Sequence, residues 1–144
     1  AILSRGLGDV YKRQNDEFSD RLLFLMFHFA LFLKKFKSEI NKKKSQELFD
    51  FFVRQIELSI REIGYGDVSV NKKMKEYVNM FYAILDKIEV TDMSIDENIA
   101  NFFRKIFNLD KNINFYANYY KKYNEYLSNN TLNNFTKDII NHNF

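Results

Sequence analysis

From Phe18 onward, apolar residues at 22, 25, 29, 32 and 36 recur at helical spacing, and Leu23, Met26, Phe27, Ala30 and Leu33 fill much of the remaining circumference. A helix that is apolar on nearly every side must be surrounded by other elements, so this first segment is predicted to be the central one, ending near Ile40. The lysines at 34, 35, 37, 42, 43 and 44 then interrupt the pattern and put the connection in solvent. Ser45 is a suitable N-cap for a second helix with Leu48, Phe52, Ile56, Ile60 and Ile63 inward. Glu47, Asp50, Arg54, Glu57 and Arg61 face outward, and the pairs Asp50/Arg54 and Glu57/Arg61 at i,i+4 each add about 0.3 kcal/mol.

Gly64-Tyr65-Gly66-Asp67 ends that helix, because glycine enters the left-handed conformation that a helix C-terminus uses. Ser69 is a candidate cap for the next one. Met74, Tyr77, Val78, Phe81, Leu85 and Ile88 form the buried stripe of this third helix, which is predicted to stop before Thr91. Ser94-Ile95-Asp96-Glu97 has capping-box spacing, followed by an apolar face of Ile95, Ile99, Phe102, Phe103, Ile106 and Phe107. A fifth helix runs from Asn112 on Phe115, Tyr116, Tyr119, Tyr120, Tyr123 and Tyr126, breaks at Ser128-Asn129-Asn130, and leaves a short sixth from about Leu132.

The pattern therefore predicts an all-α, single-domain bundle of about five to six helices. Composition agrees: among 144 residues there is no proline and no tryptophan, and glycine numbers 4, so the punctuation of sheets and hairpins is missing. With no cysteine, disulfides, thiolate metal sites and cysteine catalysis are excluded. The longest apolar run, residues 22 to 33, falls short of the roughly 20 residues a bilayer span needs.

Asp9-Val10-Tyr11-Lys12-Arg13-Gln14 is the in-frame translation of GAT GTG TAT AAG AGA CAG, a transposon-type sequencing adaptor. Residues 1–14 are accordingly expected to be a foreign leader, residues 15–144 the domain, and the natural N-terminal segment missing. Removing Arg5, Lys12, Arg13 and Asp9 takes the 22 basic and 19 acidic residues to 19 and 18, a net charge of +1 in place of +3. So weak a bias does not predict specific DNA binding.

Two histidines, His28 and His142, have no partner at metal-site spacing, and no phosphate-loop or nucleophile-elbow motif occurs. His28 is expected to pack and to hydrogen-bond a neighbour, its sharper alternative being a ligand to haem or a quinone in the core. The carboxylates fall on solvated faces or at caps. No enzyme activity and no cofactor is expected. The lysine run offers contact with anionic headgroups or ribosomal RNA, against a plain solvated loop.

The stretch Arg61-Glu62-Ile63-Gly64-Tyr65-Gly66-Asp67-Val68-Ser69-Val70-Asn71-Lys72-Lys73-Met74-Lys75, ending in Phe81-Tyr82, resembles the ubiquinol-cytochrome c chaperone family. Asp20-Arg21, the apolar run through His28 and Phe32, and Lys34-Lys35 resemble that family's first retained helix, so the likeness covers about 18–107. Arg21, His28, Gly64, Gly66, Asp67, Val70, Lys72, Lys73 and Lys75 carry it. Asn71 departs from the glycine or proline expected there, and the helix that precedes Phe18 in relatives is absent. The resemblance implies an all-helical chaperone that binds newly made cytochrome b, or another respiratory assembly protein, during biogenesis of the ubiquinol-cytochrome c reductase complex. It also implies a bacterial protein, cytoplasmic or peripheral at the inner membrane; mitochondrial relatives act beside a small partner near the ribosomal exit. The glycine turn with its lysines and adjacent apolar surface is the expected docking corner. A haem- or quinone-binding bundle and a membrane- or ribosome-associated adaptor are the alternatives.

Overall fold

Phe27, Leu23, Met26 and Ala30 are completely buried although they lie on one helix, which fixes that helix at the centre of the molecule. The computed structural model describes residues 17–108 and 111–133. It contains α1 (Glu17–Lys35), α2 (Lys42–Ile63), α3 (Asp67–Val90), α4 (Asp96–Phe107) and α5 (Ile113–Asn129), with no strand among the described residues. Residues 1–14, expected to be a leader, His142 and nearly all of the predicted sixth helix lie outside them. Leu132, where that helix was to begin, packs against the core.

Two antiparallel helix pairs, α2–α3 and α4–α5, flank α1. On one side Phe29 stacks on Phe52 of α2 at 4.4 Å and on Phe81 of α3 at 5.6 Å. On the other, Phe24 stacks on Phe107 of α4 at 4.8 Å, and Phe27 meets Phe103 at 5.3 Å and Tyr120 of α5 at 6.2 Å. Burying a Phe contributes about 1.5–3 kcal/mol, with about 0.5–1.5 more for a well-placed ring pair, so this aromatic column is a main source of stability. The contacts Phe18 with Tyr77 and Lys34 with Ile88 make α3 parallel to α1. Tyr116 on Phe24 and Ser128 at Lys35 do the same for α5.

Several boundaries depart from the sequence pattern. Helix α1 stops at Lys35, not near Ile40, and the chain turns through hydrogen bonds from Glu39 and Ile40 to the Phe36 carbonyl. Phe36, just past the helix end, is buried, and its N–H still bonds the Phe32 carbonyl at 3.0 Å. Asn41, not Ser45, caps α2: its side chain accepts from the Lys44 N–H at 2.7 Å, which draws Lys42, Lys43 and Lys44 into the helix. Ile63, expected inside, is 52% exposed because it sits at the last turn beside the glycine corner. The capping box does not form. Ser94 donates to the Asp92 carboxylate instead, leaving Ile95 as an N-cap without a side-chain bond and half in solvent. Val70, Met80 and Ile84 join the predicted stripe of α3 as buried residues.

Candidate functional site

The α2–α3 corner is built from opposite backbone demands on two glycines. Gly64 stands at φ 107°, ψ 13°, the left-handed conformation, and its N–H bonds the Arg61 carbonyl at 2.9 Å. Gly66 is extended at φ −75°, ψ 166°, where any residue is comfortable, and a Cβ there would meet nothing within 4 Å. Only Gly64 therefore needs to be glycine for its torsions.

Around this turn Arg61 donates to Asp67 at 2.6 Å and to Glu57 at 3.2 Å. Those bonds, to Asp67 first and Glu57 second, raise the guanidinium pKa further, so the charge is permanent. Asp67 is thus an ion-pair partner and the first residue of α3; neither it nor Ser69 caps the helix through its side chain. Lys73 lies over the Tyr65 ring at 4.5 Å, a cation–π contact closing the corner. Val70 is fully buried and anchors α3 beneath it. Lys72 and Lys75 project into solvent from the next turns.

Of the nine residues singled out by sequence, the fold gathers Gly64, Gly66, Asp67, Val70 and Lys73 at this corner, with Lys72 and Lys75 alongside. Arg21 borders a separate cleft between α1 and α2, about 300 Å³, whose walls include Phe18, Leu22, Leu25, Phe52 and Ile56. The α2 wall reaches Ser59, a little over one turn before Gly64. Leu25, apolar but 52% exposed, forms the lip. His28 is elsewhere, facing α5. Its Nδ1–H donates to the Phe24 carbonyl at 2.6 Å, Nε2 bonds the Tyr119 hydroxyl, and its ring sits edge-on to Tyr123 at 4.8 Å.

Tyr119, Tyr123, Arg61, Tyr65 and the cleft were not legible as site features. Helical spacing marks tyrosines as packing but does not say which of them meets a histidine 91 positions away. Burial raises the phenol pKa of Tyr119 and Tyr120, and burial together with Tyr119 and Tyr126 raises that of Tyr123 most. With both ring nitrogens engaged, His28 presents no lone pair to haem iron in this arrangement. Among the described residues no group of three or more His, Cys, Asp or Glu could hold a metal ion, and no helix is long and apolar enough to cross a membrane.

A family model described as ubiquinol-cytochrome C chaperone matches residues 12–106, about two thirds of the chain, including the cleft and the glycine corner. No curated protein and no solved structure matches it.

Proposed function

The chain belongs to the ubiquinol-cytochrome C chaperone family, and from that premise we propose that it binds newly made cytochrome b and holds it during assembly of the reductase complex. The observation that carries this reading is the open apolar cleft between α1 and α2, ending beside a permanently charged corner. An unassembled membrane protein exposes apolar helix flanked by polar ends. A groove with aliphatic and aromatic walls can cover the first, while Lys72, Lys75 and the Arg61–Asp67 pair offer polar contacts to the second. The role is one of binding, without chemistry. We place it on the cytoplasmic side of a bacterial inner membrane, peripheral to the bilayer, with residues 15–144 as the working domain behind a foreign leader.

The test is a photo-crosslinking residue at position 55, on the α2 wall of the cleft, in the chain expressed in respiring cells. Cytochrome b should be the captured partner, and Leu25→Asp should abolish capture without changing helicity by circular dichroism. Capture of cytochrome b unaffected by Leu25→Asp, or its absence from the captured proteins, would sink the reading.

A further inference from the structure

The lysines of the α1–α2 connection divide into two groups. Lys34 donates to the Ile88 carbonyl at 3.0 Å, satisfying a C-terminal oxygen of α3, and Lys35 donates to Ser128 at 3.0 Å in the last turn of α5. Both help hold helix ends together. Lys37, Lys42, Lys43 and Lys44 do neither: all four are exposed, and none pairs with a carboxylate among the described residues. Three of these occupy the first turn of α2, which holds no acidic residue, where the helix dipole disfavours positive charge. Local stability gives no reason for them.

The same corner is concave. A cleft of about 340 Å³ is bordered by Lys37 and Lys42, with Leu33, Ile40, Ser45 and Gln46 completing its lining. Cations therefore stand on the rim and two aliphatic side chains in the wall. Glu39 is the one acidic residue between positions 34 and 44, whereas the α3–α4 junction carries Glu89, Asp92, Asp96 and Glu97. The two connections at this end of the bundle thus differ in sign. An anionic plane would attract the α1–α2 corner and repel the α3–α4 one, fixing an orientation.

We propose that the α1–α2 corner docks on the anionic phospholipid headgroups of a bilayer, phosphates against Lys37 and Lys42 and the glycerol–acyl boundary over Leu33 and Ile40. The proposal rests on the peripheral location suggested above and names the surface and lipid class that would provide it. The cleft lining favours lipid over RNA, since it contains no aromatic ring on which a base could stack.

The experiment is flotation of the purified chain with phosphatidylcholine vesicles, with and without phosphatidylglycerol. Binding is expected only with phosphatidylglycerol. Lys37→Gln with Lys42→Gln should weaken it about 30-fold, while Lys37→Arg with Lys42→Arg preserves it. Lys72→Gln with Lys75→Gln removes equal charge at the far end and should change it less than about twofold. Equal losses from both Gln pairs, binding to phosphatidylcholine alone, or tighter binding to a single-stranded RNA than to the anionic vesicles would overturn the proposal. Vesicle binding needs no client and crosslinking at position 55 needs no added lipid, so either reading can fail while the other stands.

Discussion

At Gly64 a side chain would have space but not torsional freedom, whereas at Gly66 it would have both. Gly64→Ala should therefore destabilise the fold by about 1 kcal/mol, seen as a lower urea midpoint. Gly66→Ser should stabilise it by about 0.3 kcal/mol, because α3 has no side-chain cap and serine can supply one, glycine being itself a tolerable N-cap. The sequence treats the two glycines alike, since it shows residue type and not φ. The tyrosines facing His28 give a pH prediction. Their pKa values are raised in the fold above the ordinary 10.0, so the unfolded chain loses those protons first. Stability is then insensitive to them below about pH 10 and falls as pH rises beyond it. Tyr123→Phe should blunt that alkaline loss in denaturation midpoints measured across the range. Packing of His28 was foreseeable from its place on an apolar helix; its tyrosine partners depend on how α5 docks.

Periodicity located all five described helices, because each has enough apolar positions at 3.6-residue spacing to define a face. Helix starts were less legible where a capping hydroxyl had a competing acceptor or a better-placed neighbour. Ser94 turns to Asp92, and its two bonds hold that carboxyl below its usual pKa, hydroxyl first and backbone N–H second. Ser45 is pre-empted by Asn41, whose removal as Asn41→Ala should cost about 1 kcal/mol in thermal or urea unfolding. The first turn of α2 offers a sharper contrast. Lys43→Glu should raise stability by about 0.3–1 kcal/mol through the helix dipole while lowering affinity for anionic vesicles. A charge retained against local stability is what a binding surface requires; if stability and vesicle affinity both fell, the lysine would have a structural role instead.

For the molecule as a whole, the central position of α1 could be inferred before any contact was known, since only an enclosed helix can carry Leu23, Met26, Phe27 and Ala30 together. The arrangement of the pairs could not, because short connections make α2–α3 and α4–α5 antiparallel without saying which side of α1 each takes. Nor could the cleft behind Leu25, which is lined by Phe18 and Leu22 from α1 and by Phe52 and Ile56 from α2. Helix α1 supplies an apolar wall to both hairpins at once, through Phe29 on one flank and Phe24 and Phe27 on the other. Neither hairpin could keep its own interior dry if that shared wall were withdrawn. Deuterium uptake at the most protected amides of α3 and α4 should consequently report the same opening free energy, since two flanks clasping one strut come apart in one event.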